Sequence, residues 1–288
     1  MPSHEIVSTR LIQSVAEARA AVLSAKASGE SIGLVPTMGA LHQGHLSLVE
    51  ASLRECDRTV VSIFVNPAQF GPSEDLRRYP RDLDEDLRLL EELGCWLLFA
   101  PSADEMYGRG FETYVDVGPV AEPLEGVLRP GHFRGVATVV LKLLQIVPAD
   151  RTFFGQKDYQ QTLVVKQLVN DLGVPTEICV EPIVREADGI ALSSRNAYLN
   201  PTERKQACAL WQSLQLAEQL HAAGEKNAEA ILGPVKQQLA RADGVDVEYV
   251  ALLQQGTIGE VSAIKGPTVV VIAARVGQTR LIDNHIIG

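Results

Sequence analysis

Two histidines set three residues apart, His42 and His45, stand in the run Pro36-Thr37-Met38-Gly39-Ala40-Leu41-His42-Gln43-Gly44-His45. Residues 32–35 before them are apolar and read as a buried strand; Leu46, Leu48, Val49 and Leu53 after them recur at helical spacing. The imidazoles therefore sit where a strand hands over to a helix. The first N–H groups of a helix have no partner within it, and the helix dipole is positive at that end. A phosphate chain fits such a place. Imidazoles beside it can donate to phosphate oxygens or carry charge near neutral pH. On the residues alone two other readings stay open. One is a metal pair, although no third ligand is evident and the glutamate of a His-Glu-x-x-His motif is absent. The other is a structural turn with incidental histidines.

Further segments offer matching chemistry. Gly155-Gln156-Lys157-Asp158-Tyr159-Gln160-Gln161 follows a short strand-like run at 151–154. Its glycine suits an unusual turn, Lys157 is an ammonium point charge suited to phosphate, Asp158 can accept from ribose hydroxyls, and Gln161 lies one turn on. An ordinary cap with a solvated lysine is the plainer reading. Ser193-Ser194-Arg195 offers two hydroxyls and a guanidinium fork, an anion clamp or else a surface turn. Asn66, Gln69 and Tyr79 follow a second buried run, residues 59–65; Gln69 can both donate and accept, which suits a hydroxy acid, or can serve loop backbone instead. Asp82, Asp84, Glu85 and Asp86 read as a solvated charge cluster at a helix start, with a magnesium role as the alternative. Arg129 and His132 precede another helix and suit either an anionic substrate or loop packing. The sequence holds neither a Gly-x-x-x-x-Gly-Lys-Ser/Thr loop nor a Gly-x-Gly-x-x-Gly after its first strand, which excludes a P-loop protein and weighs against a dinucleotide oxidoreductase.

The elements that must position these groups alternate. Helical patterns at 15–27, 45–56, 82–93, 133–147 and 157–172 interleave with strand-like runs at 32–35, 59–65, 95–99, 151–154 and 176–180, and Gly94 and Gly173 mark two helix ends. The prediction is an α/β fold with a doubly wound, mostly parallel Rossmann-like sheet, whose ligands bind at the carboxyl ends of the strands. From there the pattern changes to long helices at 201–221 and 228–241, then strand-like runs at 247–253, 268–274 and 281–287. Residues 1–184 are therefore read as a nucleotide-binding domain and 185–288 as a smaller α+β domain.

A chain of 288 residues with 46% apolar and 22% charged residues has an ordinary globular profile. Its formal net charge of -10 argues against a broad nucleic-acid surface. No apolar run reaches membrane-spanning length, and residues 1–5 lack the basic-then-apolar pattern of a signal peptide. Cys56, Cys95, Cys179 and Cys208 form no Cys-x-x-Cys pair, and apolar or helical contexts predict that three of them are buried thiols. A cytoplasmic protein is expected.

Five blocks in one order, PTMGALHQGH, FVNPAQF, RPGHFRGV, FFGQKDYQQ and LSSRN, resemble those of the pantoate–β-alanine ligase family, in the nucleotidyltransferase superfamily that shares the His-x-x-His signature. Gln156 and Leu192 depart from the glutamate and methionine common at those places. The resemblance implies ATP contacts from Met38, Gly39, Ala40, Leu41, His42, Gln43, Gly44 and His45, from Gly155, Gln156, Lys157 and Asp158, from Val184, and from Leu192, Ser193, Ser194 and Arg195. It implies pantoate at Gln69 and Gln161, β-alanine near Gln69, His45 as proton donor, Mg2+ as cofactor with its ligands left open, and a homodimer. Catalysis is then expected from His42, His45, Lys157 and Arg195, with the C-terminal domain as a lid over a water-sensitive adenylate. Two alternatives remain at this point: a plain nucleotidyltransferase, which would not release AMP on addition of β-alanine, and a nucleotide-sensing module without turnover.

Overall fold

The computed structural model describes residues 8–72 and 74–288. The signal-peptide reading of residues 1–5 concerns a stretch outside these. The chain divides into two compact units, one comprising the residues up to Gly155 with Val164–Glu181, the other Gln156–Leu163 with Pro182–Gly288.

The first unit is built on the expected alternation: β1 Arg10–Ile12, α1 Val15–Ala27, β2 Ile32–Thr37, α2 Gln43–Glu55, β3 Arg58–Ile63, α3 Leu83–Leu93, β4 Leu97–Phe99, the one-turn helices α4 Ala103–Met106 and α5 Glu125–Leu128, α6 His132–Ile146, β5 Arg151–Gly155, α7 Tyr159–Asp171, which belongs to this unit from Val164 on, and β6 Glu177–Glu181. The strands form one sheet in the order β1-β4-β3-β2-β5-β6, with every pairing parallel. Strand alternation decides what each face buries. Ile32, Leu34, Val60 and Phe99 share one core with Val22 of α1 and Leu143 of α6. Val35, Val61 and Leu98 share another with Val49 of α2 and Leu90 of α3. Both faces are covered, so these strands read as continuous apolar runs.

Local signals set the helix ends. Asp82 caps α3 by accepting from the Glu85 N–H, and Gly94 closes it in the left-handed conformation (φ 76°). Helix α2 is capped by an imidazole, His42. The β2/β3 ladder runs on to Thr37/Ile63 and the β5/β6 ladder to Gly155/Glu181. Between β2 and β5, however, pairing ends at Leu34/Thr152. The two central strands thus part towards their carboxyl ends. From β2 the chain proceeds through α2 on one face, whereas α7 after β5 packs Val164, Val165 and Leu168 into the core of the other. That is the switch point at which an open α/β sheet binds ligands.

The second unit carries α8 Pro201–Ala222, α9 Ala228–Ala240 and the antiparallel strands β7 Val245–Gln254, β8 Thr268–Val276 and β9 Thr279–Ile287, in the order β7-β8-β9. Asn200 and Glu203 form a capping box ahead of Pro201. Leu214, Ile231 and Leu239 pack on Val270 and Ile272 of the sheet. This is the helices-then-strands layout expected from the sequence.

Three expectations need correction. Of the cysteines only Cys95 is fully buried, the other three being partly exposed, and all four are free thiols. The acidic run is not uniformly solvated: Asp86 is 2% exposed. Lys157 is not helical in the α sense but lies in a 3-10 turn, Gln156–Asp158, ahead of α7. Among the described residues no helix is long and apolar enough to cross a membrane.

Candidate active site

The loop after β2 is held in place from below. Thr37 Oγ1 accepts from the Gly39 N–H at 3.2 Å and donates to the Ser62 carbonyl at 2.9 Å. Gly39 has φ +83°, and a Cβ there would meet Ile63 Cγ2 at 2.9 Å and Asp86 Oδ2 at 3.0 Å. Ala40 also takes a positive φ, 50°. The Asp86 carboxylate accepts from the next two N–H groups, Ala40 at 2.9 Å and Leu41 at 2.7 Å. Burial pushes this carboxyl above its ordinary range while the two N–H donors pull it back. Asp86 thus fixes the strained turn that launches His42 into α2.

His42 Nδ1 accepts from the Gly44 N–H at 3.2 Å. The ring proton of the neutral imidazole therefore sits on Nε2. The His45 ring stacks on it, centroids 4.0 Å apart and 20° between planes. The two imidazoles form one layer at the positive end of α2, beside the opening between β2 and β5.

Asn66 and Gln69 are positioned by a linked set of amides. Asn66 is 1% exposed. Its Oδ1 accepts from the Ala68 N–H (3.2 Å) and Tyr107 Oη (2.8 Å), and its Nδ2 donates to Gln69 Oε1 (3.0 Å) and the Gly135 carbonyl (3.1 Å). Gln69 Nε2 in turn meets Met38 Sδ at 3.3 Å. Helix α6 closes in because Gly135 has no side chain: a Cβ would lie 2.3 Å from the Ala68 carbonyl oxygen. Below, His132 Nδ1 donates to the Gln69 carbonyl at 2.9 Å, and its Nε2 accepts from Arg129 Nη1 at 3.0 Å. Burial first, and then the Arg129 charge, push His132 down to about 4. Arg129 is itself held by both oxygens of Glu74, at 2.8 Å each. His132 and Arg129 therefore support the Gln69 turn. A cavity of about 950 Å³ lies over the carboxyl ends of β2, β3 and β4; of the residues the resemblance assigns to the site only Met38 and Gly39 line it, together with Tyr79, Asp82 and Asp86 from the other segments named in the sequence.

In the second unit a hairpin brings two expected residues together: the Leu192 N–H donates to the Val184 carbonyl at 3.0 Å, with Arg185 bridged to Ala191. Gly189 turns the hairpin at φ +90°, where a Cβ would lie 2.1 Å from Trp211 Cδ1. Ser193 then caps the short turn Ser194–Tyr198, its Oγ accepting from the Arg195 N–H at 3.3 Å. Asn196 donates to Glu186 at 2.7 Å and to the Ala191 carbonyl at 3.1 Å, tying the turn to the hairpin. Gly155 does not supply the unusual backbone expected of it, since its φ is not positive; a Cβ there would meet nothing within 4 Å.

The sequence profile described as pantoate-beta-alanine ligase matches residues 10–286. The chain belongs to the pantoate–β-alanine ligase family. The pantothenate synthetase of Roseiflexus castenholzii is 50% identical over 278 residues, 96% of this chain and 99% of its own length. That of Acetivibrio thermocellus is likewise 50% identical, with the same coverage. The crystal structure of the Thermus thermophilus pantothenate synthetase superposes with a TM-score of 0.92 at 46% identity, covering 96% of this chain and 99% of that one. The Francisella tularensis pantoate-beta-alanine ligase, complexed with beta-gamma ATP and beta-alanine, superposes with a TM-score of 0.81 at 34% identity, covering 96% and 97%. The ligase reaction of this family condenses pantoate with β-alanine through a pantoyl adenylate, releasing AMP and pyrophosphate. Membership decides against a plain nucleotidyltransferase and against a sensing module.

Within this ligase fold, residue-by-residue reading misses Asp86 and Asn66 as positioning groups. Nothing local in the segment from Asn66 to Gln69 marks which amide serves the other. Asp86 groups with its solvated neighbours in the sequence because its partners lie 45 and 46 residues away.

Proposed function

We propose that the chain joins pantoate to β-alanine in two steps, with the residues named from sequence in the roles that follow. A pantoate carboxylate oxygen attacks the α-phosphorus of ATP; the bond from that phosphorus to the bridging oxygen breaks, and pyrophosphate departs with the electron pair. The β-alanine amine then attacks the acyl carbon of pantoyl adenylate. AMP leaves with the carbon–oxygen pair, and the new amide nitrogen loses a proton. A free carboxylate is a poor acyl donor because it would have to expel oxide; adenylation replaces that with AMP.

The stacked His42–His45 pair at the start of α2 is the observation that carries this reading. Charge builds on phosphoryl oxygens and pyrophosphate in the first step, and preorganised donors meet it at no cost of rearrangement. His45 serves as the proton donor. His42 contributes Nε2–H, since its Nδ1 is engaged by Gly44. Lys157, Ser193, Ser194 and Arg195 are assigned ammonium, hydroxyl and guanidinium contacts to phosphate. The ATP site further takes the backbone of Met38–His45, the Gly155 to Asp158 turn with Asp158 on the ribose, and the hairpin pair Val184 and Leu192. Gln69 and Gln161 bind pantoate, and β-alanine arrives near Gln69, whose amide is oriented by Asn66.

Among the described residues no group of three or more His, Cys, Asp or Glu side chains forms a metal cage. Magnesium borne by phosphate oxygens, which keeps most of its waters, needs none. Mg2+ carried in with ATP would spread the phosphate charge. Four free thiols suit a reducing cytoplasm. Family likeness supports a homodimer, for which light scattering is expected to give twice the 31.2 kDa chain mass. The test of the reaction is AMP release with ATP, Mg2+, pantoate and β-alanine, omitting each in turn. AMP is expected only with the complete set; an adenylated acid accumulating whether or not β-alanine is present would overturn the second step.

A further inference from the structure

Asn284 on β9 is 2% exposed. Its side chain makes three hydrogen bonds to one turn. Nδ2 donates to the carbonyls of Gln156 and Lys157, each at 3.0 Å, and Oδ1 accepts from Gln156 Nε2, also at 3.0 Å. An amide NH2 has two N–H groups, and both go to successive backbone carbonyls. Only the nitrogen end can face those carbonyls, so Gln156, a donor to the oxygen end, agrees with that orientation.

A second layer holds Asn284 itself. Its N–H donates to Asp283 Oδ1 at 2.7 Å, and Arg185 Nη2 donates to its carbonyl at 3.2 Å. Arg185 grips the Asp283 carboxylate at 2.7 and 3.0 Å, donates to the Gly189 carbonyl at 3.1 Å, and lies 3.7 Å from the Trp211 ring centroid. Asp283 is 4% exposed. The chain of contacts runs from the tip of the Val184–Leu192 hairpin to the backbone of Lys157, all inside the second unit. A buried ionic and amide network gains little stability over an apolar core of the same volume, but it holds its members in one arrangement. Here the arrangement ends on the turn whose lysine is assigned to phosphate.

We infer that Asn284 is a positioning residue for adenylation: by clamping the Gln156 and Lys157 carbonyls it sets where the Lys157 ammonium stands. The inference rests on the role given to Lys157 under the proposed function. A lysine has a long flexible stem, and its charge is useful in the transition state only if the backbone beneath it is fixed; a displacement of about 1 Å is enough to cost up to about a hundredfold in rate.

The test is a double-mutant cycle on full-length protein, with Asn284→Asp, Lys157→Met and both together. Asn284→Asp keeps the shape and still accepts from Gln156, but turns an oxygen on two carbonyls. Pantoate-dependent exchange of pyrophosphate into ATP is measured, with a thermal melt of each variant. Asn284→Asp is expected to lower kcat about 30-fold with the KM for pantoate within about threefold of wild type, and Lys157→Met to lower kcat about a hundredfold. The double variant is expected to stay within about threefold of Lys157→Met, because the clamp acts through that side chain. Losses that multiply would overturn the inference and leave the role of Lys157 standing. A fully active Lys157→Met would strike down that role and the inference with it. If Asn284→Asp melts below assay temperature, Asn284→Ser, whose hydroxyl reaches at most one carbonyl, replaces it under the same criterion.

Discussion

Asp86 and its neighbours show how one carboxylate in a run can differ from the rest. Asp84 is exposed, whereas Asp86 is buried under the turn that carries His42 and takes two backbone N–H groups. An amide at position 86 keeps one acceptor and turns an NH2 towards the other N–H. Asp86→Asn is therefore expected to destabilise the first unit by about 2 kcal/mol in urea titration, while Asp84→Asn changes stability by less than about 0.5 kcal/mol. Equal effects would contradict the role of Asp86. His132 supplies a prediction in pH. Its ordinary value is 6.5 and burial beside Arg129 brings it to about 4, so the native ring refuses a proton that the unfolded chain accepts. The unfolded state binds more protons between these values, and stability must fall as pH drops from 6.5 to 4. The share from this one group reaches about 3 kcal/mol at the acid end. Urea titrations across that window are expected to show a shallower decline in His132→Gln; an unchanged slope would show that His132 does not carry it.

At the scale of elements, the hairpin that joins Val184 to Leu192 depends on Gly189. It has both a positive φ and Trp211 against the place of a Cβ, whereas Gly224, at φ +101°, has nothing within 4 Å of that place. Gly224→Ala is expected to cost about 1 kcal/mol from backbone strain alone. Gly189→Ala adds a collision with an indole ring, and is expected to cost at least about 3 kcal/mol and to raise the KM for ATP about tenfold by displacing the hairpin. A KM unchanged in a folded Gly189→Ala protein would remove the hairpin from the ATP site. The same elements show what is legible in a sequence. Helix α3 is readable at both ends because Asp82 and Gly94 are local cap signals, and α8 because Pro201 follows Asn200. The strand–helix alternation is readable because both faces of the sheet are covered, which makes the strands apolar throughout. Strand β1 is not, being three residues long at the sheet edge with Leu11 41% exposed. Nor is the parting of β2 from β5, since strand neighbours and the length of their ladder are set by contacts far apart in sequence. The His42–His45 pair is legible from spacing, but the Asp86 cradle, the Asn66 relay and the Asn284 clamp all join distant segments and leave no local pattern.

At the scale of the molecule, the ligase family places a charged triphosphate on a chain whose formal net charge is -10. Attraction must therefore come from local donors and not from the overall field. The donors proposed are the imidazoles of His42 and His45, the Lys157 ammonium and the Arg195 guanidinium. The most direct test is pantoate-dependent exchange of labelled pyrophosphate into ATP, which reports adenylation alone, in His45→Ala and Lys157→Ala proteins that melt within about 3 °C of wild type. The account predicts that each loses about a hundredfold or more, roughly 2.7 kcal/mol of transition-state stabilisation. Exchange at the wild-type rate in both would contradict it.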